Sequence, residues 1–268
     1  MAAGALALLA VGALAVLLLV VNPFSGGGID RGNFEDLPAD SVTYQTEDGV
    51  QIVASWFVPP GETKPPVVIL LHEQGGSRAQ WNELIPVLVK EGYAVLAPDL
   101  RGHGDSTTIV RDGKEEPYQF SDSDRPMALA DVKASVEWLK SRDDVDSTRI
   151  GMIGSRLGAD LAYVSAGVFP EMKAAAIITP TRYKPEDPLL GSIPDYAAKH
   201  VFIMAGNLTR WEDAVSLGIR IDDVDGDRYE YRSDLDGVAL LTIDEPIRDI
   251  LDWFKPRLLE ASPTPAPS

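Results

Sequence analysis

The first apolar stretch of the chain has no period. Ala2 to Val21 runs twenty residues without a polar side chain. At the helical rise per residue, a run of that length crosses a bilayer core of about 30 Å. The pattern predicts one transmembrane helix within residues 1–22. A cleaved signal peptide is the alternative, but no Lys or Arg precedes the run and VVNPFSGGG offers no A-x-A site. Arg31 is the one basic residue close behind it, followed by Glu35, Asp36 and Asp40. That flank favours a cytoplasmic N-terminus, with the following domain outside the cell membrane. Residues 23–39, with the flexible run Ser25 to Gly28, read as a linker. Residues 261–268 (ASPTPAPS) read as a disordered tail.

Between them, residues 40–260 alternate in period. Val42 to Thr46 and Val50 to Val58 are strand-like and are separated by the turn signal Asp48-Gly49. Val67 to Leu71, Tyr93 to Ala97, Ile150 to Ile153, Ala174 to Ile178 and Val201 to Met204 are short, wholly apolar runs, as expected of strands buried on both faces. Helical spacing fills the gaps: Ala79 to Glu91, a helix opening near Pro126 with a stripe at Leu129, Val132, Val136 and Leu139, then Leu157 to Ala166. A last helix spans Pro246 to Leu259, with its stripe at Ile247, Ile250, Leu251 and Phe254. A hairpin followed by alternating strands and helices predicts an α/β fold: a mostly parallel sheet with helices on both faces. No insertion is long enough for a large lid; Thr181 to Lys199 suffices for a small one.

Composition narrows the chemistry. Lys and Arg number 24 against 41 Asp and Glu, a formal net charge of −17. So acidic a surface repels phosphate backbones, so nucleic acid is excluded as a partner. There is no cysteine, hence no thiolate nucleophile and no disulfide. The three histidines, His72, His103 and His200, show no metal-ligand spacing, and no cofactor motif is present.

Ligands of such sheets bind beyond the C-terminal ends of the strands. Three motifs fall there: Leu71-His-Glu-Gln-Gly-Gly-Ser77, Ala97-Pro-Asp-Leu-Arg-Gly-His-Gly-Asp-Ser106 and Gly154-Ser-Arg-Leu-Gly158. In this order, at these strand ends, they resemble the α/β-hydrolase family, most closely its bacterial esterase-like and dienelactone-hydrolase-like members. The resemblance implies the α/β-hydrolase fold over residues 40–258. It also implies a nucleophile at the centre of G-x-S-x-G, with backbone N–H groups stabilising the oxyanion, one of them from Leu157. An acid and then a histidine should follow later in the chain.

The expected reactive residues are replaced. Arg156 stands at the nucleophile position between Gly154 and Gly158, with Ser155 one residue early. Thr209 stands where the acid is expected, after Val201 to Met204. Asp236, followed by Gly237, stands at the histidine position, and no histidine follows His200. Ser155 and His72 are weak substitutes. His103 lies in a loop motif that is structural in the family, His200 lies at the wrong end of its strand, and Asp99 and Asp105 read as loop formers. Glu73 takes the place of a glycine in the first loop; turned inward its carboxylate would oppose a developing oxyanion, turned outward it would be inert. Glu73, Gln74 and Leu157 are the candidate ligand-binding residues. Arg156 and Asp236 are complementary in charge, which predicts an ion pair with Thr209 beside it; the alternative leaves Arg156 in solvent. The expectation is a membrane-anchored domain that has lost hydrolysis and binds an unknown small molecule or protein. The alternatives are an active hydrolase of small carboxylic esters with a non-standard residue set, or an envelope interaction module.

Overall fold

The computed structural model describes residues 28–195, 197–218, 220, 228–231 and 235–260, and only the backbone of 207–211, 218 and 228–231. The expected span over 1–22, the first part of the linker and the tail 261–268 lie outside these residues. Among those described, no helix is long and apolar enough to cross a membrane.

Ten strands form one sheet. In chain order the elements are β1 (Asp40–Gln45), β2 (Val50–Phe57), β3 (Pro66–Leu71), α1 (Ile85–Lys90), β4 (Ala94–Pro98), β5 (Thr108–Arg111), β6 (Lys114–Pro117) and α2 (Leu129–Lys140). They continue with β7 (Asp146–Ser155), α3 (Leu157–Val168), β8 (Met172–Ile178), β9 (Val201–Gly206), α4 (Asn207–Gly218), β10 (Arg228–Tyr231) and α5 (Asp244–Phe254). The strand order is β10-β9-β8-β7-β3-β4-β2-β5-β6, with β1 also on β2. Pairing from β10 through β4 is parallel; β2 runs antiparallel to β1, β4 and β5.

Why the central strands are apolar at every position follows from the packing. Val67, Ile69 and Leu71 enter one core cluster, beneath α2 and α3. Val68 and Leu70 enter the other, beneath α1 and α5. Each face therefore claims alternate residues of the same strand. The stripes Val132, Val136 and Leu139 of α2 and Ile247, Ile250 and Phe254 of α5 are buried as their spacing requires.

Besides α4 and β10, which the sequence pattern does not mark, three elements differ from it. The helix expected over Ala79 to Glu91 is split into a 3-10 turn at Arg78–Trp81 and α1, with Pro86 in its first turn. A proline lacks the N–H that a continuous helix would need there. The polar loop after β4 contains the hairpin β5–β6, turned at Asp112 (φ +50°) and Gly113 (φ +73°). Both residues take the left-handed conformation that a two-residue hairpin turn requires. Finally, from Gly28 onward the expected linker is held on the domain. The Ile29 N–H donates to Asp244 (3.0 Å), and Arg31 donates to Asp244 (2.9 Å) and to the Leu241 carbonyl (2.7 Å). Phe34 sits edge-on to Phe57 at 5.6 Å.

Candidate functional site

β7 and α3 meet in a turn of one residue, Arg156, at φ +51° and ψ −109°. A non-glycine residue is strained there, and such strain persists where the surroundings enforce it. The enforcement is visible. A Cβ on Gly154 would come within 2.0 Å of the Gly158 carbonyl oxygen, and one on Gly158 within 1.9 Å of the Leu71 carbonyl oxygen. No side chain fits at either place, so α3 closes down on β3 and β7 and lifts the residue between the two glycines above the sheet edge. That geometry is the nucleophile elbow, and it carries an arginine.

The Arg156 guanidinium is met by two carboxylates. Its Nη2 donates to Asp236 Oδ2 at 2.5 Å, and its Nε lies 3.4 Å from Glu73 Oε2. The side chains are 36 % (Arg156), 30 % (Asp236) and 19 % (Glu73) exposed, so the cluster is half-buried, not open to full solvent screening. The ion pair expected from the sequence is formed.

Glu73 turns inward. Its Oε1 accepts the Ser155 hydroxyl (2.7 Å) and the Val238 N–H (3.0 Å). This one carboxylate thus joins the elbow to the segment that brings in Asp236. Gly237 makes room for it: at φ +57°, a Cβ there would stand 2.0 Å from Glu73 Oε1. The Gly237 N–H in turn donates to Thr179 Oγ1 (3.1 Å), and Thr179 itself holds φ +51°. In acyl transfer the negative charge of the intermediate needs N–H donors; here the loop after β3 brings a carboxylate to 3.4 Å from the elbow residue. The Glu73 N–H is also taken, by Gln80 Oε1 at 3.1 Å.

Neither nearby histidine is available as a base. His72 is fully buried, accepts the Leu100 N–H at Nε2 (2.9 Å) and donates from Nδ1 to the Glu73 carbonyl (2.7 Å). Burial lowers its pKa from 6.5 to about 4, so it is neutral at pH 7. His103 accepts the Gly75 N–H (2.9 Å) and donates to the Arg101 carbonyl (2.8 Å). Both rings are braces between loops. Ser155 is fully buried with its hydroxyl on Glu73, so it does not face the opening of the elbow.

The remaining candidates are Thr209, Gln74 and Leu157. Thr209 lies in the first turn of α4, which follows β9 without a loop, and its side chain lies outside the described residues. Gln74 donates to Asp122 (3.1 Å) and lines a neighbouring cavity instead of the elbow. The Leu157 side chain is buried in the core beneath α3, so as a binding side chain it is corrected. Among the described residues, no group of three or more acidic or histidine side chains could hold a metal ion.

Two residues beside the elbow escaped the sequence reading. Thr179 follows β8 directly, in the position where sheet-end residues are worth inspecting. Asp160 is fully buried in the first turn of α3. It accepts Arg125 Nη2 (2.9 Å), the Thr181 N–H (2.9 Å) and the Thr181 hydroxyl (2.7 Å). Burial raises its pKa from 3.8 to about 6 against these favourable partners. An acidic residue inside an apolar helix was the available signal.

Known proteins place the chain. The quorum-quenching protein AidA of Acinetobacter baumannii is 29% identical over 153 residues, 57% of this chain and 46% of that protein. The chain spans about half the length of the relatives it matches. Among solved structures, the Pyrococcus furiosus esterase Pf2001 superposes with a TM-score of 0.65 at 22% identity, covering 83% of this chain and 93% of that one. The α/β hydrolase GrgF of Penicillium sp. gives 0.65 at 14% identity, covering 83% and 100%. At such identities the likeness shows the α/β-hydrolase fold. Residues 52–207 match the dienelactone hydrolase family, a stretch that holds the elbow and the loops after β3 and β4 but ends before Thr209 and Asp236. With more than half of its length in that match, the chain belongs to the dienelactone hydrolase family.

Proposed function

We propose that this protein is a member of its family that no longer hydrolyses esters and acts by binding a small molecule or a protein partner, held at the cell membrane by the apolar run Ala2 to Val21. The observation that carries the proposal is the occupied elbow. Arg156 stands where the nucleophile belongs, and Asp236 and Glu73 engage its guanidinium. A guanidinium stays protonated and cannot attack a carbonyl. Asp236 has no proton to give a leaving group while ionised, and Glu73 opposes the oxyanion. Loss of any one triad member already removes most of the rate enhancement in this class of chemistry.

A second reading has one specific observation behind it. The Ser155 hydroxyl donates to Glu73 at 2.7 Å, a serine–carboxylate pair that could serve an esterase of small carboxylic esters with a non-standard residue set. The full chain is assayed with p-nitrophenyl acetate and butyrate beside a heat-denatured sample. Equal release supports the binding protein. Turnover above the control that disappears in Ser155→Ala supports the esterase.

A further inference from the structure

A cavity beyond the elbow cluster is lined by none of its charged side chains. It measures about 690 Å³ and sits between the loop after β3, the loop after β4 and the chain following β6. That volume is typical of small-molecule sites. Neither Ser155, Arg156 nor Asp236 lines it.

Its chemistry is unlike the rest of the molecule. About a quarter of the chain is charged, yet none of the eleven lining residues is Asp, Glu, Lys or Arg. His103 Nε2 accepts the Gly75 N–H. The Tyr118 phenol stays protonated: burial first, then the Asp124 carboxylate, pushes its pKa up. The walls are flat. His103 packs on Phe120 with ring centroids 4.8 Å apart, and Tyr118 follows two residues before Phe120. Hydrogen-bonding capacity comes from uncharged amides. Gln74 uses its NH₂ on Asp122 and keeps its carbonyl oxygen, and Gln119 is exposed at the lining. At Gly75 (φ +80°) an added Cβ would meet nothing within 4 Å, so the bare peptide faces open space with room for a ring over it.

We infer that this cavity is a binding site for an uncharged, planar, hydrogen-bonding molecule, of the class of an aromatic amide or a small heterocycle. Flat rings stack on the aromatic side chains, and amide groups meet the glutamines. A charged ligand would leave water and find no counter-charge among the lining residues, with the Asp122 and Asp124 carboxylates already engaged by Gln74 and Ser121. The inference does not depend on whether the elbow is active, since the two sites share no side chain of the Arg156 cluster.

Three isosteric probes isolate the charge: benzamide, benzoate and benzamidinium. Each is titrated into the ¹⁵N-labelled full chain while the amide signals of Gly75, Gly102 and Phe120 are followed. Benzamide is expected to shift these three signals along a saturable curve, and the two ions to need at least about tenfold more ligand. Gln119→Trp and, separately, Thr107→Trp place an indole at exposed lining positions and should each weaken benzamide at least about tenfold, with the remaining spectrum unchanged. The inference is overturned by the absence of a saturable shift at these amides up to about 10 mM benzamide. It is equally overturned by an ion binding as well as benzamide, or by curves that survive in both variants.

Discussion

Asp236 Oδ2 lies 2.5 Å from Arg156 Nη2, above the one-residue turn that joins β7 to α3. Two residues eighty positions apart form an ion pair, and the backbone beneath Arg156 holds the strained turn. The energetic value of the pair is modest. Both side chains are about one-third exposed, so solvent screens the pair well below the cost of breaking a buried one. A double-mutant cycle on Arg156→Ala and Asp236→Ala should return a coupling of about 1 kcal/mol in urea unfolding. Additive effects would mean that the pair does not form in solution.

Glu73 and Gly237 should be coupled more strongly. Gly237→Ala places a Cβ 2.0 Å from Glu73 Oε1 at a backbone angle that also disfavours alanine. The strain alone costs about 1–2 kcal/mol. In a Glu73→Gly background that clash is gone, leaving the strain and the 3.1 Å approach to Ser155 Oγ, so the second substitution should cost less there. Equal costs in the two backgrounds would place the Glu73 carboxylate elsewhere.

Acid should act on two buried groups in opposite senses. His72 has a folded pKa of about 4, below its unfolded 6.5, so the folded state binds fewer protons between those values. Its contribution is complete above pH 6.5 and is lost as the pH falls towards 4. Asp160 has a folded pKa of about 6, above its unfolded 3.8, so its contribution is complete below pH 3.8 and is lost as the pH rises through 6. Unfolding midpoints measured from pH 4 to 7 for the wild type and Asp160→Asn should therefore diverge. The variant loses the opposing slope and depends more steeply on pH, gaining more stability than the wild type between 4 and 6. Parallel curves would show that Asp160 does not titrate in this range.

How the sequence revealed some of this and not the rest has physical reasons. β3, β4, β7, β8 and β9 are buried on both faces, so their apolar runs are visible without any periodicity. β6, Lys114–Pro117, is exposed at every residue at the sheet edge, and no hydrophobic signal marks it; only Asp112-Gly113 announces the hairpin. The elbow was legible because its two glycines are dictated by backbone approach, whatever residue stands between them. The Arg156–Asp236 pair was legible from complementary charge at two positions that the fold brings together. The direction of Glu73 was not, because a side chain's rotamer depends on partners such as Ser155 and Val238 that only the folded chain supplies. Nor was the docking of residues 28–37, where Gly28 and its neighbours read as a tether until Asp244 is seen to hold them.

Membrane attachment is tested by fractionation. The full chain should sediment with membranes and resist alkaline carbonate, as a helix of about 20 apolar residues does. A soluble or secreted product with a new N-terminus near residue 25 would instead identify a cleaved signal peptide.

Reaction with a fluorophosphonate probe tests the central claim most directly, because it reports an activated serine without requiring the right substrate. The full chain is treated beside Ser155→Ala and an active serine esterase. The occupied elbow predicts no labelling of the wild type above the Ser155→Ala background, while the esterase is labelled fully. Stoichiometric labelling of the wild type that Ser155→Ala abolishes would contradict it, and would show that Ser155 and Glu73 form a working nucleophile beneath the arginine.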